Sequence, residues 1–322
     1  MYVAGARRGL IPAAVLLFSA CSGNSGVPGV APGSIAGAGT PFAVAGGHAA
    51  RRQSVPATYP TRKSLVFEAD FTTEEVNVYR TKDLTSNPAP IVSFHTKSGC
   101  PDGLAIDQRT GSLYVADECN GNDIEEFPKG STTEKKTISG ISNPSGLAID
   151  KYGTLYVSTY PASIEEFLHG ATAPFLTITG QGLTDPFGLA LDANDNLYVA
   201  DFGAKQVFEI PYGTSTVNAL NLSDLTEPLG VAIDLKTSDL WVTDGQGDKT
   251  NVYQLGSTTP IQTISGHGFP YAASAEQHGQ PSGTVVTSDS GAVYAFKSGS
   301  YTPYATLTNG VGNVLSLLIA NP

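Results

Sequence analysis

From residue 64 onward, apolar and polar positions alternate in short runs, each closed by Gly, Pro, Asn or Asp, as in SLYVAD, TLYVST and NLYVAD. A period of two places successive side chains on opposite faces of an extended strand, and the breakers mark the turns between strands. No 3.6-residue apolar period runs through this region, so the pattern predicts strands rather than helices. The runs also recur. PDGLAIDQRTGSLYVAD, PSGLAIDKYGTLYVSTY, PFGLALDANDNLYVAD and PLGVAIDLKTSDLWVTD share a glycine at Gly103, Gly146, Gly188 and Gly230.

Each unit of about 42 residues holds four such runs, which is the period of a propeller blade. In the second unit they are GLAID, SLYVAD, IEEF and KKTIS. Second strands can be counted as VFEAD, LYVAD, LYVST, LYVAD, LWVTD and VVTSD, which makes six. First strands match that number only when YAASAE near Ala272 and the terminal VLSLLIA near Val314 are included. The repeat region therefore starts on a second strand, KSLVFEAD, and ends on a first strand. The predicted fold is an all-β, six-bladed β-propeller in which the C-terminal strand pairs with the N-terminal blade. Closure of this kind removes the unpaired edges that an open array would expose.

The G-L-A-x-D, turn, L-Y-V-x-D text resembles the NHL-repeat family and its six-bladed TolB-like relatives, over roughly residues 64–320. The resemblance implies the propeller fold. It does not choose a function, since the scaffold serves sensors, interaction modules, lactonases and lyases alike.

The residues ahead of the repeat have a different character. Arg7 and Arg8 precede an apolar run from Gly9 to Ala20 that is too short to span a bilayer, the pattern of a signal peptide over residues 1–20. The run ends in LFSAC, which resembles the lipobox of bacterial lipoproteins with Phe18 in place of the favoured Leu, and this resemblance marks Cys21 for lipidation. Residues 21–60 are rich in Gly, Ala, Pro and Ser without apolar period and read as a flexible tether, leaving 61–322 for the propeller. The expected address is the cell envelope: an exported lipoprotein of periplasm or outer membrane, or a secreted protein, touching membrane only through its anchor. The net charge of −11 argues against nucleic acid as a partner.

Little in the chain points to catalysis. The acid that closes the second strand (Asp70, Asp117, Asp201, Asp244, Asp289, with Thr159 as the exception) recurs as a turn cap would, and DANDN at Asp192–Asn196 resembles a calcium loop only at its start. His48, His95, His169, His267 and His278 show no ligand spacing, and the folded region lacks a nucleophile elbow and a phosphate loop. Trp241 stands where sister strands have Tyr, which suits the core. Glu125, Glu126, Glu165 and Glu166 read as solvated positions of third strands. No cofactor, metal set or catalytic residue is assigned, and a monomer is expected.

The more informative position is the residue before the repeat glycine, beside the central channel: Asn313, Asp102, Ser145, Phe187, Leu229 and Tyr271 around the ring. Three adjacent blades are polar there and three are apolar or aromatic, a balance that fits a small amphipathic ligand. These features fit a binding or protein-interaction module, recognising such a ligand or a protein partner. The alternative is a metal-dependent hydrolase resembling gluconolactonase. That resemblance implies metal ligands at the channel mouth, for which Asn313 and Asp102 are the candidates. Finally, a four-residue QRTG loop sets Asp107 opposite Ser112, and the same register puts Cys100 opposite Cys119, a pair that predicts a disulfide.

Overall fold

The computed structural model describes residues 58–322, apart from 98, 119–121 and 277–282. Cys21, the leader, most of the tether, Cys119 and His278 lie outside the described residues.

The described chain forms six four-stranded antiparallel sheets. Blade 1 holds β1 (Leu65–Asp70), β2 (Glu75–Arg80) and β3 (Val92–His95). Blade 2 holds β4 (Pro101–Ile106), β5 (Leu113–Asp117), β6 (Asp123–Phe127) and β7 (Lys136–Ser139). Blade 3 follows with β8 (Pro144–Ile149), β9 (Leu155–Thr159), β10 (Ser163–Phe167) and β11 (Leu176–Thr179). Blade 4 is β12 (Pro186–Leu191), β13 (Leu197–Asp201), β14 (Gln206–Ile210) and β15 (Asn218–Ala219). Blade 5 is β16 (Pro228–Asp234), β17 (Asp239–Asp244), β18 (Lys249–Gln254) and β19 (Gln262–Ser265). Blade 6 contributes β20 (Ala273–Ala275), β21 (Thr284–Ser288), β22 (Val293–Lys297) and β23 (Ala305–Leu307). The last strand, β24 (Val314–Ala320), returns to blade 1 and pairs antiparallel with β1, from Leu65↔Ala320 to Asp70↔Val314. The ring closes as its repeat arithmetic predicts.

The period of two also decides what packs between blades. In GLAID the Leu and Ile face the preceding blade and the Ala faces the following one; in LYVAD the Leu and Val face back and the Tyr faces forward. Thus Ala105, Tyr114 and Ala116 meet Leu147, Ile149, Leu155 and Val157 in one buried cluster. The same arrangement recurs at the next two junctions. The forward-facing Ala and aromatic are cross-strand neighbours in each case: Ala105↔Tyr114, Ala148↔Tyr156, Ala190↔Tyr198 and Ala232↔Trp241. A small residue beside a large one lets each ring lie across its own strand pair, which fills the space at the density a core requires. Trp241, fully buried against Phe296 at 5.0 Å, is the largest version of this plug, as its place in the repeat suggested.

The repeat glycines have a steric cause. A Cβ at Gly103 would fall on the Ser145 carbonyl oxygen and one at Gly146 on that of Phe187, while Gly188 and Gly230 leave 2.5 and 2.6 Å to the Leu229 and Tyr271 carbonyl oxygens. Inner strands of successive blades approach backbone to backbone, which only glycine permits. Two junctions add a hydroxyl clip. Ser158 Oγ accepts the Gly146 N–H (2.7 Å) and donates to Phe187 O (2.6 Å); Thr243 Oγ1 does the same for Gly230 N–H (2.7 Å) and Tyr271 O (2.8 Å).

Three expectations need correction. Glu125, Glu126 and Glu166 are buried rather than solvated. Glu125 accepts the Lys97 N–H at 2.7 Å, and Glu126 accepts Ser112 Oγ (3.1 Å) and Lys135 Nζ (3.3 Å). Thr58 and Tyr59, assigned by composition to the tether, already join the packed region: Thr58 bridges Ser131, and buried Tyr59 meets Phe67 edge-on at 5.2 Å. Lastly, Asp107 does face Ser112, its N–H bonding Ser112 O at 2.9 Å, but a bulge between Pro101 and Leu104 shifts the register beyond it. Pro101 pairs with Asp117, and Glu118 donates its N–H to Cys100 O at 3.3 Å, one residue out of the expected register. Cys100 is nonetheless disulfide-bonded.

Candidate functional site at the channel mouth

The bulge that displaced Cys100 recurs at Pro144–Leu147, Pro186–Leu189 and Pro228–Val231. Its cause is the P-x-G text. Proline has no N–H for the ladder, glycine admits the neighbouring backbone, and the extra residue between them leaves the regular pleat. That residue is Asp102, Ser145, Phe187 or Leu229.

A cavity of about 70 Å³ runs along the inner strands of all six blades, and Asp102, Phe187, Leu229 and Tyr271 line it. All four are buried. Ser145 takes part through Asp102, whose carboxylate accepts its hydroxyl hydrogen bond. Asn313 is half-buried and not among the lining residues; its backbone is tied instead to the loop after β1, with O accepting the Phe71 N–H (2.9 Å) and N–H donating to Thr72 Oγ1 (3.2 Å). Phe269 packs obliquely against Tyr271 at 4.9 Å, outside the lining residues.

Asp102 is the unusual member. It is 2% exposed, and its Oδ2 has no hydrogen-bond partner among the described residues. Burial, then the charge of Glu118, push its carboxyl well above the ordinary range, against the pull of the Ser145 hydrogen bond. Asp102 in turn adds to the burial that pushes the Tyr271 hydroxyl up to about 12, which sets the two groups within electrostatic reach across the mouth.

Two acids that the sequence did not single out stand beside this ring. Glu118 follows β5 next to the blade 2 bulge, and burial and Asp185 raise its carboxyl. Asp185 precedes the blade 4 bulge, and burial, with Asp201 adding, raises its carboxyl to about 6. Their signal was position: each adjoins the bulge of a repeat unit, Glu118 where sister units have Tyr160, Phe202 and Gly245, and Asp185 where Glu227 is the equivalent acid of blade 5.

The recurrent strand-end acids serve the loops. Asp201 accepts N–H groups from Thr184 (2.8 Å), Asp185 (2.9 Å) and Ala204 (2.8 Å), and Asp244 those of Thr226 and Glu227 at 2.7 Å. They cap the turn that follows and also hold the segment leading into the inner strand. DANDN is a hairpin turn in which Asp192 Oδ1 accepts the N–H groups of Asn194 (2.8 Å) and Asn196 (2.9 Å). Among the described residues no three His, Cys, Asp or Glu side chains gather closely enough to hold a metal ion.

No protein-family model and no curated protein matches the chain. Solved structures do match its fold. A chain of the nidogen/laminin complex shares 18% identity with a TM-score of 0.66, covering 80% of this chain and 98% of that one. A protein of unknown function from Bacteroides caccae gives 12% identity and a TM-score of 0.58 over 80% and 98%. Streptogramin B lyase gives 14% identity and a TM-score of 0.51 over 68% and 70%. The class is thus a six-bladed β-propeller of four-stranded antiparallel blades, closed by its last strand; at these identities the likeness is one of fold alone.

Proposed function

We propose that this chain is an exported, lipid-anchored, NHL-like propeller that acts as a binding module at the cell envelope, with the channel mouth as its recognition surface. The observation that carries the reading is the mouth itself. Asp102 offers a buried carboxyl oxygen without a partner, while Phe187, Leu229 and Tyr271 form an apolar wall around the same cavity. Concave, largely apolar sites with one or two placed polar groups suit small ligands and protruding side chains of protein partners alike. The occurrence of the fold in a nidogen/laminin complex supports a role in interaction. The disulfide at Cys100 supports an oxidising compartment, and the LFSAC text supports anchoring through Cys21.

An NMR-detected screen of small aromatic fragments against the purified protein tests the site. Chemical-shift changes should cluster on the P-x-G bulges and vanish in a Phe187→Ala, Leu229→Ala double variant that keeps its fold. Shifts confined to other surfaces, or none at all, would refute the assignment of the mouth.

A further inference from the structure

Resting on the channel-mouth reading, the charge at this site narrows its ligand class. We propose that the mouth selects a small organic cation, its ammonium paired with Asp102 in the field of Glu118 and Asp185 and its apolar body laid against Phe187, Leu229 and Tyr271. The geometry makes the case. Asp102 lines the cavity at 2% exposure with Oδ2 unpartnered, and a buried acceptor left in that state costs free energy that a bound donor would recover. Glu118 adjoins it, its N–H bonded to the Cys100 carbonyl oxygen beside the blade 2 bulge, and Asp185 leads into the blade 4 bulge; both are half-buried. Among the described residues, none of the ion pairs neutralises any of the three.

Such a mouth repels anions and draws cations. A hard metal ion is a poor match, since it demands several converging oxygens and the described acids do not converge in that way. An ammonium needs one well-placed carboxylate and gains from aromatic rings, which Phe187 and Tyr271 supply at the cavity. Burial raises the carboxyl of Asp102, and a cation seated beside it would favour its charged form.

The test compares 2-phenylethylammonium, 2-phenylethanol, 3-phenylpropionate and calcium chloride by titration calorimetry against the full chain. The ammonium should bind about tenfold or more tightly than the alcohol, the scale of a charge-assisted hydrogen bond, and the carboxylate should bind least. Asp102→Asn should remove the preference for the ammonium while leaving the alcohol's affinity unchanged. Should that variant not fold, Glu118→Gln at the half-buried rim should still weaken the ammonium, and less so at high salt. Equal binding of ammonium and alcohol would overturn the cation preference yet leave the mouth as a binding site. Stoichiometric calcium displacing the ammonium would make it a metal site instead. No binding by any probe would overturn both readings.

Discussion

Glu68 shows how one side chain can tie the stability of this propeller to pH. It sits on β1 with no exposed surface, accepts Asn77 Nδ2 at 2.9 Å, and Asn77 Oδ1 accepts Ser93 Oγ at 2.5 Å, so a polar chain crosses blade 1 from β3 to β1. Glu68 Oε1 has no partner among the described residues. Burial raises the carboxyl from its ordinary 4.5 to about 8, and the charges of Asp70 and Glu75 add to the rise that the Asn77 bond opposes. The folded state therefore binds this proton more tightly than the unfolded chain. Its contribution is complete below the unfolded value of 4.5 and is lost as pH climbs towards 8. Denaturant unfolding should show stability falling over that window, by a few kcal/mol at most, and Glu68→Gln should flatten part of the fall. Glu125 and Glu166, both raised to about 7, leave the variant a remaining slope of the same sign. An unchanged pH profile would mean that water reaches Glu68.

Strands, not single groups, set the close approach at the axis, and the cost of disturbing it belongs to that level. Gly146 lies on β8 where a Cβ would strike the Phe187 carbonyl of β12, whereas Gly291 has nothing within 4 Å of its Cβ position and no left-handed backbone. Gly146→Ala should destabilise by ~1–3 kcal/mol, as overpacking a core does, and Gly291→Ala should leave urea unfolding nearly unchanged. Equal effects would show that the inner strands separate freely. The glycine and the alternation around it were readable in the chain because both recur with the blade. What recurrence hides is local departure from the pleat. The register read back from Asp107 and Ser112 assumed an unbroken ladder, so it missed the bulge at Pro101–Leu104 and placed Cys100 one residue out. The same bulge carries Asp102 to the channel wall. Glu118 and Asp185 escaped notice because their importance depends on which loops converge at the mouth, and sequence spacing does not encode that. Burial of Glu125 was hidden for a related reason: the Lys97 segment that bonds it lies well away in the chain.

At the scale of the whole molecule, one strand pairing turns a row of blades into a ring. β24 runs along β1 over its full length, and Leu318 and Ala320 enter the same buried cluster as Leu65 and Phe67 of β1 and Leu104 of β4. Removing β24 would expose the β1 edge, strip the axial face of blade 1 and open a gap where Leu318 and Ala320 enter a cluster shared with blade 2. Since a domain's net stability is only about 5–15 kcal/mol, deletion of residues 314–322 should abolish cooperative melting rather than lower it slightly. A synthetic peptide spanning residues 311–322 offers the converse measurement. Added to the truncated chain it should dock as the missing strand through main-chain hydrogen bonds, restoring a cooperative transition in proportion to its concentration, while a scrambled peptide should not. If the truncated chain melts as the intact one does, β1 finds its edge partner elsewhere. The continuous channel, and with it the ring of bulges that gathers Asp102 and the apolar wall, would then not depend on closure.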